Sequence, residues 1–439
     1  MSAEGNIFKN CLLLLLFGLL FTPMIQQVFE FKALEPLKGT VNNPEDATFS
    51  KKDWIDGTYQ EKKEVYINSM FGFRSFCIRL NNQIDYTLFN KANAKDVIVG
   101  ADNYLFELNY IKSYTGEDFL GNDSISHTLN RMKFLSDTLK KLNKNLIIGF
   151  APGKAFFYPE YIDGKYLKNK KGITNYSVFT NGVEKLGIDF IDFNKWFSEK
   201  KKTAEYPLYP QHGIHWSVYG AALASDSLIK KIESLRGIDM PNLQFKSVRL
   251  LQAQDGDYDC ADAMNLLFRL KSVDLAYPNL LPTDSIGKIK PRVLVISDSF
   301  YWVMYSLGIS NSFDSNHKIW YYNKQVYPES FKQELLVSSL NFSEAINNYD
   351  VIVVMATDNN LRNISWGFLE NAVKNFINES ESNVIKQSPE YIKKVQDFVK
   401  YITTQPTWIK DAEIRAKEKN ITLDSMLILE AIWQIEHPN

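Results

Sequence analysis

The stretch Arg292-Val-Leu-Val-Ile-Ser-Asp-Ser-Phe-Tyr-Trp302 decides the fold of this chain. Its apolar residues 293–296 predict a buried β-strand, and the apolar residues that end the stretch predict the buried face of a helix. Ser297, Asp298 and Ser299 form the turn between them. Ligands of α/β proteins bind at such carboxyl ends of strands, where the first N–H groups of the next helix can stabilise an oxyanion. Ser299 is therefore our candidate nucleophile, although serines that only form turns and N-caps have the same pattern.

The same alternation of apolar strand and amphipathic helix extends through the body of the chain. Strands buried on both faces and separated by helices are typical of a mostly parallel sheet with helices on both sides. We predict an α/β fold of this kind, with strands at 145–151, 188–193, 293–296, 318–322 and 350–355 and helices at 124–142, 176–186 and 218–232.

The remaining segments are predicted from their composition. Residues 10–29 are uncharged and long enough to cross a bilayer as a helix, which predicts a membrane anchor or signal peptide within residues 1–30; a buried core helix is the alternative. The predicted order is this segment, an N-terminal approach segment at 31–120, the catalytic domain at 121–380 with an insertion at 237–290, and a helical C-terminal tail at 381–439.

Composition narrows the possible functions. The 439 residues can fill a large core, and a net charge of −1 without a basic stripe argues against a nucleic-acid partner. Of the three cysteines, Cys77 and Cys260 lie outside the apolar segment. They could form a disulfide in an oxidising compartment or remain free thiols.

A second informative stretch runs from Tyr209 to Ala224. Two of the five histidines, His212 and His215, lie three apart in its Pro/Gly-containing loop, before a helix whose predicted N-cap is Ser217. A general base for a serine must be an imidazole held in a fixed direction, and Trp216 can supply that packing. The alternatives are an ordinary helix start or a metal site, but two histidines without nearby carboxylates or cysteines are a weak metal pattern.

These two motifs together resemble a known family. The His-Trp-Ser-x-x-Gly-Ala pattern at 215–221, followed by Ser-Asp-Ser-Phe at 297–300, is similar to the motifs of the periplasmic alginate O-acetyltransferase family, whose members have SGNH hydrolase-like domains. Weaker similarities to the same family occur at 101–106, 151–160 and 256–264.

The resemblance assigns roles to individual residues. It implies that Ser299 is the nucleophile, that His215 is its base, and that Asp298 shapes the turn; His212 is a weaker catalytic candidate. Gly213 stands where the family has the aspartate that orients the histidine. Without that carboxylate the rate can fall by about 10⁴, as in serine proteases.

Several groups could replace the missing aspartate. A backbone carbonyl, a carboxylate from the Asp255–Asp262 stretch, and Asp358 at the end of a predicted strand are the alternatives, and the sequence does not choose between them.

The resemblance also implies a function. It predicts transfer of an acetyl group to a polysaccharide hydroxyl through an acetyl-serine intermediate, without a bound cofactor or metal. It further implies a multi-pass membrane O-acyltransferase as partner and an anchored, extracytoplasmic location. Trp216, Tyr301 and Trp302 are candidates for sugar contacts. A carbohydrate acetylesterase and an inactive polysaccharide-binding protein are the alternatives.

Overall fold

The structure is a computed structural model that describes residues 3–29, 35–39, 44–167, 171–281, 284–386, 388–419 and 421–437. The predicted boundary at residue 30 lies outside these ranges. The strands are β1 (Val97–Val99), β2 (Leu105–Glu107), β3 (Asn145–Ala151), β4 (Phe190–Asp192), β5 (Phe245–Leu251), β6 (Leu275–Leu280), β7 (Val293–Ser297), β8 (Lys318–Tyr321), β9 (Gln325–Tyr327) and β10 (Val351–Thr357).

The helices account for most of the remaining chain. They are α1 (Ala3–Phe29), α2 (Lys51–Asp56), α3 (Thr58–Met70), α4 (Arg74–Phe89), α5 (Leu108–Thr115), α6 (Asn122–Lys141), α7 (Lys154–Phe157), α8 (Asn175–Lys185), α9 (Phe193–Lys200), α10 (Val218–Arg236), α11 (Asp259–Ala263), α12 (Phe300–Ser306), α13 (Phe342–Asn347), α14 (Phe368–Lys386), α15 (Pro389–Thr403), α16 (Pro406–Glu418) and α17 (Leu423–Glu436).

A six-stranded sheet in the order β4-β3-β10-β7-β8-β9 organises the first part of the chain. Its first five strands are parallel, and the edge strand β9 is antiparallel to β8. Every residue of β7 and β10 is buried, so side chains on both faces of the sheet are covered. This confirms the predicted mostly parallel α/β fold; the antiparallel edge strand was not predicted.

The region predicted as an insertion contains an antiparallel pair. β5 pairs with β6, and most of β5 is exposed. The helix α11 lies between these two strands in the chain and is buried at Cys260 and Ala261.

By its internal contacts the chain divides into two compact units. The first comprises Met1–Leu340 and Asn348–Gly367 and contains the whole sheet. The second comprises Asn341–Asn347 and Phe368–Asn439. It has its own small core, formed by Ile402, Ala412, Ala416, Met426, Leu427 and Ala431.

Candidate active site

Ser299 lies directly after β7, at the first turn of α12. It occupies the N-cap position, but its side chain makes no capping hydrogen bond. Asp298 makes the hydrogen bond within the turn instead: its Oδ1 accepts the backbone N–H of Phe300 at 3.1 Å. The hydroxyl of Ser299 therefore does not cap α12.

The Ser299 hydroxyl meets His215. The distance from His215 Nε2 to Ser299 Oγ is 2.9 Å, although 84 residues separate them in the chain. The His215 side chain keeps 19% of its surface exposed, so this pair is open to solvent. The two motifs, each recognised separately in the sequence, thus meet at one edge of the sheet.

Packing holds the loop of His215 in place. Ser217 caps α10, its Oγ accepting the Gly220 N–H at 3.0 Å, as its position predicted. Trp216 is fully buried, and its indole N–H donates to the carbonyl of Phe300 at 3.2 Å. Because Phe300 follows Ser299, this bond ties the histidine loop to the serine turn.

Asp259, at the start of α11, orients the imidazole. Its Oδ2 lies 2.8 Å from His215 Nδ1, on the far side of the ring from Ser299. Its Oδ1 accepts the backbone N–H groups of Ile214 at 2.9 Å and Cys260 at 2.7 Å. The group that replaces the missing aspartate thus belongs to the Asp255–Asp262 stretch.

Gly213 has no room for a side chain. A Cβ on this residue would lie 2.7 Å from both the carbonyl carbon and the oxygen of Asp257 and 2.9 Å from the oxygen of Gly256. Those atoms are backbone and cannot rotate away. The segment that brings in Asp259 therefore occupies the space that a side chain at position 213 would need.

The charge around His215 favours its protonated form. Burial alone would lower the pKa of His215, but the hydrogen bond and negative charge of Asp259, with further charge from Asp298 and Glu107, raise it above its usual value. An imidazole with a carboxylate on Nδ1 presents Nε2 as the proton acceptor when it is neutral. Ser299 Oγ lies at that nitrogen.

Asp298 fastens the serine turn to the neighbouring strand. Its Oδ2 accepts the N–H and the hydroxyl of Thr357 and the side-chain amide of Asn360, each at 2.8 Å. Thr357 is the last residue of β10, which pairs with β7. Asp298 is buried by these contacts, which agrees with its predicted role in shaping the turn.

Tyr322 is a neighbour of Ser299 that the sequence did not reveal. Burial, with the charges of Asp298 and Tyr321, raises the pKa of its hydroxyl to about 12, although the hydroxyl and N–H of the nearby Ser299 lower it. It is therefore protonated at neutral pH and can donate a hydrogen bond. Two other side-chain donors are engaged elsewhere: the Asn360 amide binds Asp298, and the Lys154 ammonium binds the carbonyls of Gln211 and Gly213.

The backbone of Tyr322 is unusual. Tyr322 and Asn323 both have φ near +50° in the tight connection between β8 and β9. Such turns favour Asn-Gly, and a residue with a bulky side chain is strained there. Strained residues cluster at functional sites. A Tyr-Asn pair at a hairpin turn is thus the signal in the sequence that could have identified this position.

Three predicted site residues need correction. His212 is fully buried against Tyr258, and neither ring nitrogen has a hydrogen-bond partner among the described residues. Burial, aided by the positive charges of Lys154 and Arg269, lowers its pKa to about 4. His212 is therefore a neutral core residue rather than a catalytic base.

The other two corrections concern sugar contacts. Trp216 and Tyr301 have no surface to offer a substrate, since Trp216 is fully buried and Tyr301 is 1% exposed, with its hydroxyl bonded to His317. Trp302 is partly exposed and packs against Tyr321 at 5.3 Å between ring centroids. It stays a candidate.

Two further side-chain features complete the surroundings of the site. Within the described ranges, no group of three or more His, Cys, Asp or Glu side chains is arranged to hold a metal ion. Cys260 is buried and free next to Asp259, and Cys77 is exposed and free.

A serine, an imidazole and a carboxylate meet at the carboxyl edge of a mostly parallel sheet, the arrangement expected of an SGNH hydrolase-like domain. In agreement with this, residues 97–267 match the family model for "SGNH hydrolase-like domain, acetyltransferase AlgX". This confirms the family resemblance for that part of the chain, which includes His215 and Asp259; Ser299 lies beyond it.

Individual relatives are distant. The chain is 21% identical over 178 residues to the probable alginate O-acetylase AlgJ of Pseudomonas putida, a match that covers 40% of this chain and 44% of that protein. The chain thus matches less than half of the relative's length.

Solved structures show the same weak similarity. The O-acetyltransferase domain of Pseudomonas putida AlgJ has a TM-score of 0.42 at 16% identity, covering 64% of this chain and 99% of that one. Pseudomonas aeruginosa AlgX has a TM-score of 0.41 at 15% identity, covering 63% and 67%. Bacillus cereus PatB1 has a TM-score of 0.36 at 14% identity, covering 60% and 96%.

Proposed function

We propose that this protein is an O-acetyltransferase that moves an acetyl group to a polysaccharide hydroxyl through an acetyl-serine intermediate. The observation that carries the proposal is the continuous chain of contacts from Ser299 through His215 to Asp259, with distances of 2.9 and 2.8 Å. A serine alone is a weak nucleophile, and this arrangement is the one that activates it.

In the first half-reaction, His215 Nε2 takes the proton of Ser299, and Oγ forms a bond to the carbonyl carbon of the acetyl donor. The carbonyl oxygen becomes an oxyanion, for which the Ser299 N–H and the Tyr322 hydroxyl are donors. When the tetrahedral intermediate collapses, the bond to the leaving group breaks, and the leaving group takes the proton from His215. The product is acetyl-serine.

The second half-reaction reverses the roles. A sugar hydroxyl gives its proton to His215 and attacks the acetyl carbon, and Ser299 leaves with that proton. The Asp259 carboxylate stabilises the imidazolium that forms in each half. Water in place of the sugar would give an esterase.

The relatives suggest the acceptor and the partner. The name of the Pseudomonas putida relative specifies an alginate O-acetylase, and the proposal takes from it only the class of acceptor, a polysaccharide. Ile7–Phe29 is a helix long and apolar enough to cross a membrane. We place the enzyme outside the cytoplasm on this anchor, with a multi-pass membrane O-acyltransferase supplying the acetyl group.

The test uses the purified full chain with a chromogenic acetyl ester, with and without an oligosaccharide acceptor. We expect ester cleavage, an acetylated Ser299 peptide by mass spectrometry, and an acetylated oligosaccharide. The Ser299→Ala variant should lose all three. The matched control is Ser306→Ala, an exposed serine on the same helix α12.

Two results would contradict the proposal. Equal background cleavage by the wild type and Ser299→Ala would leave a polysaccharide-binding protein without catalysis. Serine-dependent release of acetate, with no acetyl group on any glycan offered, would indicate an acetylesterase.

A further inference from the structure

The helix α4 has its polar and apolar sides reversed with respect to a surface helix of a soluble protein. Two of its polar side chains contact the protein: the Asn82 amide donates to the carbonyl of Met264 at 2.8 Å, and Gln83 Oε1 accepts the N–H of Phe268 at 3.1 Å. Its large apolar side chains face outward at four-residue spacing, with exposed fractions of 42% for Phe76, 39% for Leu80, 46% for Ile84 and 68% for Leu88. A surface helix normally buries its apolar stripe.

The exposed apolar surface continues beyond α4. Neither α2 nor α3 has a single buried residue. Trp54 and Ile55 of α2 are exposed, and Trp54 forms an aromatic cluster with Phe49 and Tyr59, with ring centroids 5.5 to 5.8 Å apart. Large exposed apolar side chains are typical of interaction sites, and Trp and Tyr concentrate at membrane–water interfaces.

Direct packing connects this surface to the helix α1. The turn between α3 and α4 lies against α1 so closely that a Cβ on Gly72 would be 1.8 Å from the carbonyl oxygen of Pro23. The N–H of Phe73 also donates to Oε1 of Gln26, at 3.2 Å. Pro23 and Gln26 belong to the candidate membrane span, Ile7–Phe29.

The position of this contact along α1 predicts the depth of the turn between α3 and α4 relative to a bilayer. Pro23 precedes the end of the helix at Phe29 by about 9 Å at the rise of an α-helix. If α1 spans the bilayer, the turn between α3 and α4 lies at the same depth as the last turns of α1, near the lipid headgroups. The apolar stripe of α4 starts from that turn.

We propose that α2, α3 and α4 form a surface that rests on, and partly enters, the bilayer leaflet at the C-terminal end of α1. This inference rests on the proposal that α1 crosses the membrane. The lipid is the favoured occupant because the surface is contiguous with the spanning helix and because amphipathic helices that lie in a membrane interface have such a stripe.

The helix α4 contacts the segment that carries Asp259. Met264, which α4 contacts through Asn82, follows α11, and α11 begins with Asp259. The helix α4 therefore contacts the residue that follows α11, the helix whose first residue orients His215.

The test measures the surroundings of single side chains in the full-length protein reconstituted into vesicles of phosphatidylcholine and phosphatidylglycerol. Cys11, Cys77 and Cys260 are replaced, and a fluorescent bimane is attached to a cysteine at Leu80→Cys or Leu88→Cys. The reference positions are Leu16→Cys in α1 and Lys230→Cys on the exposed side of α10. Circular dichroism and thermal melting confirm that each variant is folded.

We expect nitroxide-labelled lipids to quench the probes at positions 80 and 88 several-fold more than the probe at position 230, and aqueous iodide to show the opposite order. If positions 80 and 88 behave like position 230 while position 16 is quenched by lipid, α1 is in the membrane but the proposed surface is exposed to water, and the proposal is wrong. If position 16 is also accessible to iodide, the anchor proposal itself is wrong and this inference falls with it.

Discussion

At the level of single residues, the carboxylate of Asp259 has two separable effects on His215. It fixes the direction of the ring through Nδ1, and it raises the pKa of the imidazole. His215 must be neutral to accept a proton, so activity should fall as the pH decreases through this pKa. An amide in its place can still hold the ring, but it removes the negative charge and favours the wrong tautomer of the imidazole.

We therefore predict that Asp259→Asn lowers the rate of ester cleavage by up to about 10⁴, the loss seen when serine proteases lose this carboxylate. The acid limb of its pH–rate profile should move to lower pH, because the charge that raises the pKa of His215 is gone. The matched control is Asp262→Asn on the same helix, whose carboxylate binds Lys38 at 2.7 Å. An unchanged rate and pH profile in Asp259→Asn would contradict the assignment.

Tyr322 permits a second test at this scale. Tyr322→Phe keeps the ring contact with Trp366, at 5.1 Å between centroids, and removes only the hydroxyl. Loss of one oxyanion donor costs about 10² in kcat, with little change in KM, because the donor acts mainly in the transition state. Steady-state kinetics with the acetyl ester measure both constants. Tyr327→Phe is the control, and a normal kcat in Tyr322→Phe would exclude the hydroxyl from catalysis.

At the level of elements, the backbone of the segment before α11 packs directly against Gly213, in the loop of His215. Gly213→Ala should lower the free energy of unfolding by about 1–3 kcal/mol, because the added Cβ meets backbone atoms that must shift. Urea denaturation measures this loss. Gly256→Ala is the control, since a Cβ there has no heavy atom within 4 Å.

The same packing predicts that an aspartate at position 213 cannot take over the role of Asp259. An aspartate placed at position 213 should not restore activity to Asp259→Ala, because removing the Asp259 side chain leaves the backbone of residues 256–257 in place. Recovery of ester cleavage in the Gly213→Asp, Asp259→Ala double variant would show that the two segments can separate.

At the level of the whole molecule, we propose that α1 anchors the protein in a membrane. We predict that the expressed chain stays in the membrane fraction through high-salt and alkaline-carbonate washes and is released only by detergent. An arginine near the centre of a spanning helix costs about 2.5–3.5 kcal/mol, so Leu14→Arg combined with Leu16→Arg should shift the protein to the soluble fraction. Release of the wild type by salt alone would contradict an anchored helix.

The sequence alone determined the elements and the two motifs. The strand–turn–helix around Ser299, the capped helix after His215 and most strands of the sheet could be predicted, because periodicity and capping depend on residues close together in the chain. Burial could not be predicted for individual aromatics, so Tyr301 and Trp216 were assigned to a substrate that they cannot reach.

Only the tertiary structure decided which groups complete the site. Asp259 and Tyr322 reach His215 and Ser299 from separate segments, and the outward apolar stripe of α4 is recognised only once its polar side is seen bonded to the protein. Strand order and packing set these proximities, and no local pattern encodes them. The chain specifies its catalytic chemistry locally, but the carboxylate that supports that chemistry is supplied by a contact between distant segments.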